Sequence, residues 1–577
     1  MDTFFLREQT LGDLLDDIVA RFPDNEAVVH ADHNFSRSWA GFSADVDAAA
    51  KGLMALGVRK GEKVAIWATN VPHWLTIMFA AARIGAIMLT VNTNYRDSEL
   101  RYVLEQSESE NLFIIEGSRD HDFVASVYEV IPELRHRHRG ALHCESLPHL
   151  RRVFLLGAER HRGIMPITEL MALGQNVPDE LYEARKAEVS PYDVVNMQYT
   201  SGTTGFPKGV MLTHVNILNN GYWIGRHQHF SSRDRVCLPV PLFHCFGCVL
   251  GVMACVNHAA TMVLLETFSP VQVMTAVEQE KCTALYGVPT MFQAILDHRV
   301  FSRFDFRSLR TGIMAGSVCP EPLMRRVMDS LHMQEVTICY GLTEGSPVMT
   351  QTRIDDPLDI RVRTVGRSMP GIEVAILDPE TGQEVPRGQV GEICCRGYNV
   401  MKGYYKMPEA TAQTVDADGW LHSGDLGCMD SQGYVTISGR IKDMIIRGGE
   451  NVYPREVEEF LLGMDGVVDV QVVGVPSRRY GEEVGAFILV REGADIAPED
   501  VRDFCRGHIA WYKIPRYVAV LKEFPLTASG KVQKYKLREM AAQYFPEAML
   551  ERHERAGHGS SESSQGSGVT AQSREAQ

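Results

Sequence analysis

Short apolar runs at residues 63–67, 86–91 and 112–116 alternate with helical stretches such as 43–56. Alternation of that kind predicts a layered α/β fold with substantially parallel sheets, because successive strands joined through helices pair side by side in the same direction. At the start of the chain, residues 10–21 place Leu11, Leu14, Leu15 and Ile18 at helical spacing behind Thr10, a good N-cap residue. One amphipathic helix is expected there.

A chain of 577 residues exceeds what one hydrophobic core supports, so a large and a small domain are expected. Near residue 440 the texture changes to shorter elements: Gly448-Gly449 in a turn, a helix over 454–462 and an apolar strand over 467–475. The domains are therefore read as 1–439 and 440–545. Residues 546–577, rich in Gly, Ser, Gln and Glu with almost no large apolar side chains, are read as a disordered tail.

Charge and cysteine usage narrow the function. A formal net charge of -15 opposes broad attraction to nucleic acid or to an anionic membrane. No stretch of 18 or more apolar residues is present, so no integral membrane segment is expected. Twelve cysteines without repeated spacing, and a start rich in acidic residues rather than patterned as a secretory signal, point to free thiols and a cytoplasmic location. Cys245 and Cys248 have the spacing of a redox or zinc pair, but they lie in an apolar stretch with no second pair, and packing is the reading taken. Arginines surround His136, His138, His143 and His149, which reads as a solvated basic patch.

The densest local signal runs Tyr199, Thr200, Ser201, Gly202, Thr203, Thr204, Gly205, Phe206, Pro207, Lys208, Gly209, between the apolar segments 194–197 and 210–212. Glycines let the backbone approach phosphate oxygens, hydroxyls add donors, and Lys208 brings a mobile cation for the β- and γ-phosphates. A Gly after the lysine, where Walker loops carry Ser or Thr, separates it from that class.

This loop resembles the phosphate loop of the adenylate-forming superfamily, which includes acyl-CoA synthetases, adenylation domains of peptide synthetases and luciferases. The resemblance continues in order along residues 10–540. Tyr340-Gly341-Leu342-Thr343-Glu344 is similar to the second nucleotide motif, which implies that Thr343 lies against the α-phosphate and that Glu344 helps hold Mg2+. Asp425, in Trp420-Leu421-His422-Ser423-Gly424-Asp425, matches the ribose-binding carboxylate, and Arg440 matches a second ribose and phosphate contact. Gly316 and Ser317 match the segment beside the adenine. Lys442 stands at the hinge position, Gly448 and Gly449 match a turn lining the pantetheine channel, and His244 matches a residue between the acyl and pantetheine pockets. Lys531, in Pro525-Leu526-Thr527-Ala528-Ser529-Gly530-Lys531, matches the lysine that screens the approaching anions during adenylation.

What the resemblance implies is an ATP-dependent carboxylic acid:CoA ligase. It would have a large N-terminal domain of layered α/β sheets and a small mobile α+β C-terminal domain. Such an enzyme makes acyl-AMP and pyrophosphate, then acyl-CoA and AMP, with ATP, Mg2+ and coenzyme A as its small molecules. Transfer to a separate acyl carrier protein is the alternative, and a catalytically dead binding module a third reading that Lys208, Glu344, Arg440 and Lys531 together oppose. The Gly448–Pro454 stretch and Asn196-Met197-Gln198 look most like medium-chain and related fatty acid:CoA ligases. An acyl pocket is expected along 249–255 and 312–317. Cys248 stands where several long-chain enzymes have a gating Trp, which favours shorter, cyclic or branched acids if the acyl tunnel passes there. Monomer and homodimer are both left open.

Overall fold

The computed structural model describes residues 3–119, 121–136, 142–200, 207–317, 319–448, 450–477, 479–526 and 532–545. Ser201, Gly202, Thr203, Thr204, Gly205, Phe206, Gly449, Lys531 and the segment 546–577 lie outside the described residues. The chain divides into two compact units that part between Ile437 and Ser438.

The helix Leu11–Arg21 opens on a capping box: Thr10 Oγ1 accepts from the Asp13 amide and Asp13 accepts from the Thr10 amide, each at 3.0 Å. Its face of Leu11, Leu14, Leu15 and Ile18 is buried, each such side chain contributing about 1.5–3 kcal/mol. The next long helix, Trp39–Ala55, starts one turn earlier than the apolar pattern indicated. Ser38 caps it by accepting from the Gly41 amide at 3.2 Å, and the added turn buries Trp39 and Phe42.

Two large sheets form the first unit. In one, the strands run in the order Gly403–Tyr404, Lys208–Thr213, Val194–Thr200, Ile87–Thr90, Lys63–Trp67, Asn111–Ile114, Arg152–Leu155, Ile164–Pro166. From Val194–Thr200 onward all neighbours are parallel. The apolar runs are these strands, and Lys63–Trp67 is buried along its whole length, as a strand covered on both faces must be.

The second large sheet has the order Glu335–Thr337, Thr311–Met314, Ala284–Gly287, Arg235–Leu238, Thr261–Leu264, Glu26–His30, Phe35–Ser38. It is parallel except for its last pair. A four-stranded sheet of Ile372–Leu377, Gly391–Gly397, Leu421–Met429 and Val435–Arg440, the last strand entering the second unit at Ser438, and a small antiparallel sheet around Cys339–Gly341 follow.

The second unit is α+β. Its long hairpin pairs Val467–Ser477 with Gly481–Val490, and the other edge of Gly481–Val490 takes Ile445–Arg447 at Gly481, itself paired with Glu450–Val452, and the parallel strand Tyr517–Leu521 along Gly485–Leu489. Pro454–Leu461, Pro498–Cys505 and Lys534–Tyr544 are its helices. Pro at the first turn of the first two starts a helix without losing a hydrogen bond.

Candidate active site

Strand pairing places the phosphate-loop residues. Val194–Thr200 runs three residues past the apolar stretch that predicted it, and its antiparallel register with Lys208–Thr213 sets Thr200 opposite Lys208. The loop between them therefore springs from the closed end of a hairpin. Gly403–Tyr404 pairs with the outer strand, Tyr404 opposite Val210, which sets the phenol beside the lysine. The Lys208 ammonium lies over the Tyr404 ring, 4.9 Å from its centroid. Tyr102 donates its hydroxyl to the Pro207 carbonyl at 3.1 Å and so holds the end of the loop.

Glu344 meets this group from the other side. It sits in the short turn Thr343–Gly345, 8% exposed, and its Oε1 accepts from Tyr404 at 2.8 Å and from Thr200 Oγ1 at 3.4 Å. Burial, and next the Glu344 charge, push the Tyr404 phenol pKa up, so it stays a protonated donor. Four residues from three separate parts of the chain thus converge: Thr200 and Lys208, Glu344, and Tyr404. Both hydroxyl donors meet the same carboxylate oxygen, in a setting of hard oxygen groups that fits Mg2+.

Tyr340 and Asp425 form a second pair. Tyr340 donates to Asp425 Oδ2 at 2.8 Å, and the Asp425 amide donates to Ser423 Oγ at 3.0 Å. The carboxylate is buried and held by a residue of the neighbouring motif. Between these groups the backbone of Gly341 runs so close to Pro347 that a Cβ there would stand 1.7 Å from the Pro347 carbonyl oxygen. Gly316 follows the strand Thr311–Met314 at φ +94°, a left-handed conformation suited to glycine, with Ser317 exposed beyond it.

Thr343 reaches toward the segment of His244. Cys245 Sγ is 3.6 Å from Thr343 Oγ1, and His244 Nδ1 accepts from the Phe246 amide at 3.2 Å. Residues Phe246–Met253 are a π-helix with every side chain buried, continued by Ala254–His258. The expected acyl-pocket stretch 249–255 is therefore packed in the core in this conformation. Cys248 has no exposed surface, and its Sγ accepts from Gln198 Nε2 at 3.1 Å. Cys245 and Cys248 are free, buried thiols with different partners.

Arg440, Lys442 and Gly448 belong to the second unit. Arg440 and Lys442 are exposed, at the head of and within the turn Ile441–Asp443. Gly448 sits at φ +62°, and its amide donates to the Tyr480 carbonyl at 2.7 Å. A Cβ at Gly448 would stand 2.9 Å from the Tyr480 ring, so this turn needs glycine on two counts. The preceding Arg447 is held by the fully buried Glu483, at 2.5 Å, between the rings of Tyr480 and Trp511.

Comparison with known proteins identifies this arrangement. The model of the AMP-binding enzyme family matches residues 15–405, and that of the AMP-binding enzyme C-terminal domain matches 456–531. The chain is an AMP-binding enzyme. YngI of Bacillus subtilis (strain 168), which its name provisionally makes an acyl-CoA synthetase, is 49% identical to this AMP-binding enzyme over 540 residues, 94% of this chain and 98% of YngI. The mitochondrial medium-chain acyl-CoA ligase of Rattus norvegicus is 40% identical over 548 residues, 94% of this chain and 89% of the relative. Among solved structures, ATP-bound MatB from Rhodopseudomonas palustris superposes with a TM-score of 0.78 at 29% identity, covering 92% of this chain and 99% of MatB.

Two contacts of this AMP-binding enzyme escaped the sequence reading. Nothing local in Gly403-Tyr404-Tyr405 shows that Tyr404 joins Lys208 to Glu344. The hydrogen bond from Tyr340 to Asp425 also spans separate sheets, and only the shared motif order hinted at it. No described helix is long and apolar enough to cross a membrane.

Proposed function

We infer that the chain is an AMP-forming acid:CoA ligase that takes medium-chain carboxylic acids. The observation that carries this reading is the convergence of Lys208, Thr200, Tyr404 and Glu344 at the closed end of one hairpin. Such a set binds a polyphosphate: a cation held in place by an aromatic face, a hydroxyl, and a carboxylate oriented by two hydroxyl donors.

In the first half-reaction the acid's carboxylate attacks the α-phosphate of ATP and pyrophosphate leaves. Lys208 carries charge on the β- and γ-phosphates, Thr343 faces the α-phosphate, and Lys531 screens the meeting anions. Glu344 would hold Mg2+, which when bound would neutralise phosphate oxygens. Asp425 and Arg440 hold the ribose, and Gly316 and Ser317 border the adenine. In the second half-reaction the CoA thiolate attacks the acyl carbonyl and AMP leaves, with Gly448 and Gly449 along the pantetheine path, His244 beside it and Lys442 as pivot. Medium chain length is supported by the name of the Rattus relative and by the motif around Gly448. Twelve free cysteines support work in a reducing compartment, with the cytoplasm the proposed one.

The test is a panel of straight-chain, branched and cyclic acids assayed with ATP, Mg2+ and either CoA or an acyl carrier protein. Acyl-CoA and AMP formed in equal amounts, greatest with medium chains, are expected. Thioester on the carrier alone would replace CoA as acceptor, and no AMP with any acid would overturn the reading.

A further inference from the structure

A second cluster of ligand-type side chains lies at the end of the second large sheet. The strand Glu26–His30 runs into a turn, Ala31–His33, and pairs in parallel with Thr261–Leu264, His30 opposite Leu264. Glu266 follows two residues later, and the register brings it against the histidine turn. Asp32 fastens the two segments: its Oδ2 accepts from the Glu266 amide and its Oδ1 from Gln272 Nε2, each at 3.0 Å.

One nitrogen or oxygen from each of His30, His33 and Glu266 lies within 4.8 Å of the other two. His33 Nε2 is 3.4 Å from Glu266 Oε2, and Thr69 donates to Glu266 Oε1 at 3.0 Å. The two imidazole rings stand 4.6 Å apart, centre to centre. A surface ion pair beside a tilted ring would account for His33 and Glu266. It would not account for His30, which is 3% exposed and whose Nε2 is buried without a hydrogen-bond partner among the described residues. A buried polar atom left so needs a partner.

We propose that His30, His33 and Glu266 bind a divalent first-row metal ion of the zinc class. Two imidazole nitrogens and one carboxylate oxygen are a donor set such ions take, with water at the remaining position. Ligand atoms on a tetrahedral ion stand about 3.3 Å apart, and the His33–Glu266 pair already stands at 3.4 Å. Asp32 and Thr69 act as outer partners that orient the ligand loop and the carboxylate.

The site has a path to the rest of the unit. The Glu266 carbonyl accepts from the Asn70 amide at 3.4 Å, while Asn70 Nδ2 donates to the carbonyls of Leu265 and Val240, each at 3.0 Å. Asn70 Oδ1 accepts from the Leu242 amide at 2.8 Å, two residues before His244. An ion here clamps the strand ends on which that segment hangs.

The experiment is metal titration of the full chain after chelator treatment, with Zn2+ by calorimetry and Co2+ by visible absorption. The wild type is expected to bind one ion that gives the d–d bands of a nitrogen and oxygen site. His33→Ala, at an exposed position, and Glu266→Gln are each expected to weaken that binding by at least about tenfold, with circular dichroism unchanged. Equal binding by wild type and both variants, no stoichiometric binding by the wild type, or a thiolate-to-cobalt charge-transfer band that survives in His33→Ala would overturn the assignment; the last would move the ion to the Glu392, Cys394 and His422 group.

Discussion

The Tyr404 hydroxyl donates to Glu344 Oε1 at 2.8 Å while the same ring carries the Lys208 ammonium on its face. One side chain thus serves both charges of the proposed polyphosphate site. Tyr404→Phe keeps the ring and removes the donor to a buried carboxylate, a contact worth about 1.5–3 kcal/mol. The expected result is a fall of about one to two decades in kcat/KM for pyrophosphate release, with circular dichroism unchanged. Tyr404→Leu removes both contacts and is expected to cost more. Wild-type kinetics in Tyr404→Phe would show that the hydrogen bond has no part in adenylation.

Lys531 is the proposed cation of the first half-reaction alone. Lys531→Ala is expected to slow acyl-adenylate formation by about two to three decades, the cost of one transition-state charge contact. Thioester formation from supplied acyl-adenylate should stay near the wild-type rate. Rapid-quench measurement of each half-reaction checks this, and an equal loss in both would remove the assignment.

Cys248 tests where the acyl chain runs. The position has no exposed surface and is hydrogen-bonded to Gln198, so an indole there meets packed side chains instead of an open tunnel. Cys248→Trp is expected to destabilise the protein by about 1–3 kcal/mol, as overpacking does, and to lower activity alike on short and long acids. A thermal melt run beside kinetics over an even-numbered acid series checks it. Selective loss of the longest acids at an unchanged melting temperature would instead put Cys248 on the tunnel wall.

His422 gives a pH dependence of stability. Burial alone lowers its pKa, but Glu392 at 2.8 Å and then Asp416 at 3.5 Å outweigh that and raise it above the ordinary 6.5; Cys394 Sγ also lies 3.5 Å from its Nδ1. A raised pKa in the folded state means that protonation favours folding. The stabilisation is complete below 6.5 and lost as pH rises through the folded value. His422→Asn should therefore melt well below the wild type at pH 5.5 to 6, with the gap narrowing as pH rises. A gap independent of pH would show that the imidazole stabilises by packing alone.

The alternation of apolar runs with helices was enough to determine layered sheets, because a strand covered on both faces leaves a continuous apolar run whatever its neighbours are. The strand at Lys63–Trp67 and the capped helix at Leu11–Arg21 were legible for that reason. Motif order likewise determined the family, since backbone geometry at a phosphate loop demands small residues in sequence. Element ends were less legible. Val194–Thr200 continues through the polar Gln198, Tyr199 and Thr200 because backbone pairing with Lys208–Thr213, not side-chain hydrophobicity, carries it on.

Contacts between distant segments were decided by the tertiary structure alone. Tyr404 meets Glu344, Tyr340 meets Asp425, and Glu266 meets His33 through strand order and register. A register shift of one residue would turn the strand residues Tyr404, Tyr340 and Asp425 to the opposite face. Local composition is blind to that choice, since it records which residues can be buried or charged but not which strand lies next to which. The sequence by itself therefore determined which chemistry this protein carries; packing of the sheets decided which side chains share a carboxylate and which histidine nitrogen is left without a partner.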